Sequence, residues 1–306
     1  MTGSTYRRPG ARCLVLPDGR SIGSISGGCL EEDVRLRARE VLDHGTPQLA
    51  HYDTASDDDV LWGTGLGCGG TVRVFIERLS EPLPRWVERL REQLRARRAT
   101  ELAVAFGESW GDRRGTQLRF ELPDTAGPGL FLDCVEPPPS LALFGAGDDA
   151  QPLAALARLL AWHVSVFDVR PAYATAARFP EAQVVHAGAA DESARHPEVR
   201  ADSHVVVMSH RYRDDREALR VLLTRQLAYL GVLGPRARTE RLLMELAGEG
   251  VMPSAEMRNR LFAPVGIDLG GASPETVALS IVAELQAVRT NRRPSHLRDV
   301  ARPIHG

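Results

Sequence analysis

From residue 141 onward, apolar runs of strand length alternate with amphipathic stretches of helix length, and this alternation constrains the fold more than any other feature of the chain. Strand-like runs at 141–144, 164–167, 184–185, 205–208 and 230–233 are separated by helix-like stretches at 152–162, 172–178, 216–226 and 236–246, and a last long helix covers 274–288. Parallel strands cannot be joined by tight turns and need crossover connections. The pattern therefore predicts a doubly wound parallel sheet with helices on both faces.

The first of these strands runs straight into Gly145-Ala146-Gly147-Asp148-Asp149-Ala150, a G-x-G-x-x-A turn opening a helix, and the second ends in Asp168, 23 residues after Gly145. That is the setting of a dinucleotide fingerprint. Gly145 permits the tight turn, Gly147 lets backbone N–H groups approach a phosphate, Ala150 lets the helix pack on the strand, and Asp168 is the candidate for a ribose hydroxyl pair. Asp148 and Asp149 would repel a pyrophosphate at that helix start, although carboxylates there also stabilise a helix by themselves. A phosphate-bearing or pterin-like ligand, a tight dinucleotide, and a well-formed turn with no ligand are the three readings.

In a doubly wound sheet the carboxyl ends of the strands face the ligand crevice. The fourth strand ends in Met208-Ser209-His210, followed by Arg211, Arg213, Asp214 and Asp215. His210 is thus a candidate metal ligand or proton shuttle, with a hydrogen-bonding scaffold as the plainer role. The next strand ends in Gly231-Val232-Leu233-Gly234-Pro235-Arg236-Ala237-Arg238, which places Gly234, Arg236 and Arg238 beside the same crevice as partners for an anion.

The first part of the chain reads as a smaller α/β domain over residues 1–122, separated by a Pro- and Gly-rich linker (123–140) from a Rossmann-like domain (141–290) and a tail (291–306). A strand, an Asp18-Gly19 two-residue turn and a second strand fill 12–26, and a helix follows as far as Gly45. Strands are expected at 49–53, 72–76, 102–106 and 118–122, and an amphipathic helix at 84–98 with Trp86, Val87, Leu90 and Leu94 as its buried stripe. Between the hairpin and the first helix, Gly27 and Gly28 would present free N–H groups, with Glu31 in the first turn as a capping residue. Gly63-Thr64-Gly65-Leu66-Gly67-Cys68-Gly69-Gly70 sets a thiol among bare backbone, whose N–H dipoles would stabilise a thiolate. Cys68 is therefore the candidate reactive or metal-contacting thiol, against a purely structural turn.

Composition removes whole classes of chemistry. All 38 basic residues are Arg, so a phosphate-loop NTPase, a Schiff-base enzyme and a protein kinase each lack their lysine. A formal charge of −2 gives no global field for nucleic acid or an anionic membrane, and no apolar run reaches the roughly 18 residues of a span. The four cysteines show no C-x-x-C spacing, which argues for free thiols in a reducing cytoplasm and against a structural zinc or iron–sulfur site.

Taken in order, Gly27-Gly28-Cys29-Leu30-Glu31, Gly67-Cys68-Gly69-Gly70, Phe144-Gly145-Ala146-Gly147, Asp168-Val169-Arg170, Arg178-Phe179-Pro180, Ser209-His210, Tyr229-Leu230-Gly231-Val232-Leu233-Gly234 and Pro264-Val265-Gly266-Ile267-Asp268 resemble the XdhC/CoxI family. The resemblance implies a small α/β domain paired with a Rossmann-like domain, and an accessory role toward molybdenum hydroxylases such as xanthine or carbon monoxide dehydrogenase. It further implies binding of molybdenum cofactor (molybdopterin), support for its sulfuration by a cysteine desulfurase, and delivery to the apo-enzyme. Relatives usually carry a strand and helix before the region of Gly3-Ser4-Thr5, so the first domain is expected to lack an edge strand. Many also have a His after the G-x-G where this chain has Asp148.

Three hypotheses follow. One is a non-catalytic carrier, expected as a homodimer, in which glycine loops from both halves converge on one anionic pterin guest with Cys68 near its metal end. Another is an NAD(P)-dependent oxidoreductase using Gly145, Gly147 and Asp168, for which no proton-donor pair is recognisable. The third is a scaffold whose loop glycines are structural only.

Overall fold

The computed structural model describes residues 2–3, 8–53, 70–122 and 127–300, and the chain divides into two compact units, Met1–Pro137 and Pro138–Ile304.

The first unit contains β1 (Thr2–Gly3), β2 (Cys13–Val15), β3 (Ser21–Gly23), α1 (Glu31–His44), β4 (Gln48–Asp53), β5 (Gly70–Ile76), α2 (Arg85–Arg95), β6 (Thr100–Ala105), β7 (Gly115–Leu118) and β8 (Leu130–Val135). β2 and β3 form the expected hairpin, but its loop is one residue longer. Only Gly19 takes a positive φ, +85°, and the Leu16 N–H donates to the Arg20 carbonyl, so Pro17-Asp18-Gly19 makes a three-residue turn. Leu30, Val34, Ala38 and Val41 recur at helical spacing and bury against Val72 and Ile76 of β5. Gly45, at φ +74°, ends α1 by donating its N–H to the Val41 carbonyl. β5 lies between the two-residue β1 and β4.

Three expectations for this unit are corrected. The strand at 118–122 stops at Leu118, after which Arg119–Glu121 turn as a 3-10 helix. The stripe on α2 is only half-buried, and its buried residue is Gln93. The segment 123–140 is not a linker throughout: Leu130–Val135 pairs antiparallel with β6. Flanking prolines and glycines masked a strand whose alternation was too short to stand out.

The second unit contains β9 (Ser140–Phe144), α3 (Ala150–Leu159), β10 (His163–Asp168), β11 (Val184–Ala187), α4 (Ala190–Ser193), β12 (Ser203–Val207), α5 (Tyr212–Leu222), β13 (Tyr229–Val232), α6 (Arg236–Gly248), α7 (Ala255–Asn259), β14 (Leu261–Phe262) and α8 (Pro274–Arg289). All six strands pair in parallel in the order β11-β10-β9-β12-β13-β14, a doubly wound Rossmann-type sheet. Alternate residues of β9 supply the two cores. Leu141 and Leu143 pack with α3 and α8 through Leu153, Ile281 and Leu285. Ala142 and Phe144 face α5 and α6 through Leu219, Leu222 and Leu246. Each fully buried leucine contributes about 1.5–3 kcal/mol relative to exposure. The helix expected over 172–178 is a run of turns, because Pro171 and Pro180 bracket a segment too short for stable helix. The strand order reverses between β9 and β12, and that switch point fixes where a ligand can enter.

Candidate functional site

At the switch point the carboxyl ends of β9, β10 and β12 border a small cleft open to solvent, lined by Phe144, Phe167, Asp168 and Ser209 among others.

The G-x-G turn crosses the mouth of β9. Gly145 has φ +125°, its N–H donates to the Phe167 carbonyl at 2.8 Å, and a Cβ there would lie 2.5 Å from the Met208 carbonyl oxygen. Its lack of a side chain is thus a packing requirement. Gly147 differs, since a Cβ on it would meet only His210 Cδ2, at 3.9 Å. Nothing in the fold demands glycine at that position. Ala150 is fully buried where α3 meets the sheet.

Both carboxylates at the start of α3 are paired. Asp148 accepts from Arg178 at 2.7 Å, and Asp149 Oδ2 lies 3.0 Å from His210 Nε2. Arg178 thereby offsets part of the repulsion expected toward an anion at this helix start. His210 stands beside Gly147 as the sequence order implied, and it holds a left-handed backbone at φ +58°, an uncommon conformation outside glycine.

Asp168 is not available for ribose. Its Oδ2 accepts from the Ala146 N–H at 2.7 Å and from Arg170 Nη2 at 2.8 Å, while Oδ1 accepts from the Arg170 N–H and Nε, both at 2.8 Å. Burial pushes this carboxyl up, but the Arg170 guanidinium and the backbone donors outweigh it and the net shift is downward. With two bonds on each oxygen, the side chain fastens the G-x-G turn to the end of β10 and offers no lone pair to a ligand. The guanidinium that clamps it also stacks on Tyr173, 3.8 Å from the ring centroid.

Of the two arginines at the start of α6, only Arg238 reaches the crevice, where it donates to the buried Asp215 at 2.6 Å. Asp215 also accepts from the Ser209 N–H and hydroxyl. Arg236 instead pairs with Glu240 one turn ahead and is 79% exposed, which corrects its expected place at the crevice. Gly234 sits before them with φ +121°.

In the first unit the loop at 24–28 is closed by its own carboxylate. Glu31 accepts from the N–H groups of Ile25, Ser26, Gly27 and Gly28 and from the hydroxyls of Ser24 and Ser26. Burial raises the Glu31 carboxyl, and these bonds, with Ser26 foremost, pull it far below the usual carboxylate range. Gly27 and Gly28 are therefore not free donors, and Glu31 does more than cap. Gly70 is buried at the start of β5, opposite Gly3. Cys68 and Gly69 lie outside the described residues. Of the described thiols, Cys29 is exposed, while Cys13 is pushed up by burial and by the Glu31 charge. Among the described residues no group of three or more His, Cys, Asp or Glu is placed to hold a metal, His210 having only Asp149 beside it.

The order of the strand ends brings Gly147 and His210 together and Arg238 to the crevice, but not the clamp of Arg170 on Asp168 or the pairing of Arg238 with Asp215, whose only signal is a position shortly after a strand end. Similarity to known proteins runs along the whole chain. The XdhC Rossmann domain matches residues 141–285, and the XdhC and CoxI family matches residues 1–53. A probable xanthine dehydrogenase subunit from Bacillus subtilis (strain 168) is 34% identical over 95% of this chain and 91% of its own. The "Molybdenum cofactor insertion chaperone PaoD" of Escherichia coli (strain K12) is 28% identical, covering 95% of this chain and 81% of its own. A crystal structure described as a xanthine dehydrogenase from Bacillus halodurans superposes with a TM-score of 0.81 at 30% identity, over 95% of this chain and 90% of that one. With a 34% identical relative matched along nearly its full length, the chain belongs to the XdhC/CoxI family.

Proposed function

We propose that this protein is an accessory factor for a molybdenum hydroxylase of the xanthine or carbon monoxide dehydrogenase type, carrying molybdenum cofactor as cargo to the apo-enzyme. The observation that carries this reading is Gly147, a glycine with no packing reason to be one, on the turn where a doubly wound sheet binds its ligand. Its open side lets the first amides of α3 approach an anionic group, and the His210–Asp149 pair beside it can hold a proton at Nε2. The relative named as a molybdenum cofactor insertion chaperone supports this choice of cargo. Sulfuration belongs to the same reading: a cysteine desulfurase is the sulfur source, and Cys68, a soft ligand set among glycines in the sequence, is the thiol assigned to the metal end. The protein works as a homodimer in the cytoplasm.

A nicotinamide oxidoreductase is disfavoured because Asp168 has both oxygens committed to Arg170 and Ala146. Gel filtration after separate incubation with molybdopterin cofactor and with NAD(H) tests both readings. Co-elution of the pterin, followed by activation of an apo-hydroxylase, is the expected result. Stoichiometric retention of NAD(H) without pterin would end the carrier reading.

A further inference from the structure

Two histidines meet on the α4 side of the switch-point cleft. His186, on β11, lies opposite Phe167 of β10, and His196 follows α4. Their ring centroids are 5.2 Å apart, and each ring also packs on Phe167, at 6.2 Å for His186 and 5.1 Å for His196. Phe167 stacks in turn on Phe144, and both line the cleft together with Ala190 and Ser193 of α4. This three-ring contact seats the segment 190–199 against the sheet.

His196 is held by more than packing. Its Nδ1 accepts the Glu198 N–H at 3.2 Å, so in the neutral ring the proton sits on Nε2. A metal bridging the two rings is disfavoured by that arrangement, because ligation through Nε2 needs the proton on Nδ1, where the N–H already points. The contact is acid-labile instead. A proton on Nδ1 turns the acceptor into a donor, sets it against the Glu198 N–H, and places a cation beside a second imidazole. Burial and the His186 charge both hold the His196 ring below the ordinary histidine value of 6.5, and the Glu198 carboxylate opposes them. The open segment accepts a proton near 6.5 while the closed one resists it, so closure weakens as pH falls below that value.

The other charges around the segment have their own partners or face water. Glu198 is shared with His163 Nε2 of β10 at 2.9 Å. On α4, Asp191 and Arg195 pair with each other and Glu192 is exposed. On α5, Asp214 pairs with Arg211, Asp215 with Arg238, and Arg216 and Arg220 with Glu217, while Arg213 is exposed. Arg225, after α5, donates to the carbonyls of Ala194 and Val199 and so fastens both ends of the turn that carries His196. We infer that His186 and His196 form a proton-operated latch, which holds the α4 wall of the cleft closed while neutral and releases residues 190–199 when His196 is protonated. The latch does not rest on the carrier reading.

The test is native-state hydrogen exchange of the full chain at pH 7 and pH 5, with protection factors corrected for intrinsic exchange. Residues 192–199 are expected to open on their own, with protection about a hundredfold or more below that of β9 and β12, and to lose about fivefold or more of it at pH 5. His196→Asn keeps an acceptor for the Glu198 N–H but takes up no proton, so the pH response of 192–199 should shrink to within about twofold. His186→Phe keeps a ring in the contact and removes its charge. The His196 titration followed by NMR should then move upward, a shift that a merely packed ring would not show. Exchange of 192–199 in step with β9 and β12, an equal pH response in the His196→Asn chain, or a His196 titration unmoved by His186→Phe overturns the latch.

Discussion

Arg170 grips Asp168 across the end of β10 through its backbone N–H, Nε and Nη2, each at 2.8 Å, while the other side of the same carboxylate holds the Ala146 N–H. The pair thus ties strand, turn and guanidinium into one unit, with the Asp168 side chain only 2% exposed. Removing one partner strands a buried charge. Arg170→Ala should therefore destabilise the second unit by about 3–5 kcal/mol in urea unfolding at neutral pH. The Asp168 carboxyl is held below its ordinary value of 3.8, so its contribution is complete above that pH and is lost as pH falls through the lower folded value. A variant unfolding within about 1 kcal/mol of the parent would mean that the clamp is incidental.

The two glycines of the turn answer to different pressures, and substitution separates them. Gly145→Ala forces a side chain into a φ of +125° and against the Met208 carbonyl, so a loss of at least about 1–3 kcal/mol from backbone strain is expected, with the clash added. Gly147→Ala meets nothing closer than 3.9 Å and should leave stability within about 0.5 kcal/mol. Its effect should fall on retention of molybdenum cofactor, reduced by about tenfold in the gel-filtration measurement. Equal retention by parent and Gly147→Ala would detach this turn from binding.

His204 predicts how the second unit meets acid. The ring lies 4.9 Å from Trp162 and 6.0 Å from Tyr229 between centroids, and burial lowers its pKa to about 4 despite a backbone hydrogen bond at Ser140. An unfolded histidine takes up its proton near 6.5, while the folded one refuses it until about 4. Stability should therefore decline as pH falls across that window, by on the order of 3 kcal/mol in all. In His204→Phe this component disappears, so urea midpoints at pH 7 and pH 4.5 should differ less than in the parent. Parallel pH profiles for the two proteins would place the acid sensitivity elsewhere.

Legibility in the sequence followed the physics of each element. The doubly wound order could be read because β9, β10, β12 and β13 are buried on both faces and appear as continuous apolar runs. β8 could not, since its burial alternates over six residues bounded by prolines and glycines. At the cleft, the proximity of Gly147 and His210 is legible from their places after strand ends. What no spacing rule discloses is where hydrogen bonds go. Asp168 matched the fingerprint in position and failed it in chemistry because Arg170, two residues on, captured it first. Glu31 likewise has the sequence position of a helix cap, but four backbone donors converge on it.

That convergence leads to a prediction for the first unit. Consecutive N–H groups at 25–28 form an anion nest, and Glu31 fills it from within. In Glu31→Ala the donors lose their acceptor, and unfolding free energy should drop by roughly 1–3 kcal/mol. Because the folded carboxyl sits far below its ordinary 4.5, the parent keeps this contribution above pH 4.5 and loses it only as pH falls through the folded value; the variant should lack that acid-labile component. The nest in the variant is then open to an outside anion. Sulfate should raise its melting temperature by several degrees more than it raises the parent's, since a ligand that binds only the folded state stabilises by mass action. Equal sulfate responses would mean that the amides hold their arrangement only while the carboxylate is present, and that the loop is a product of Glu31 rather than a site it occupies.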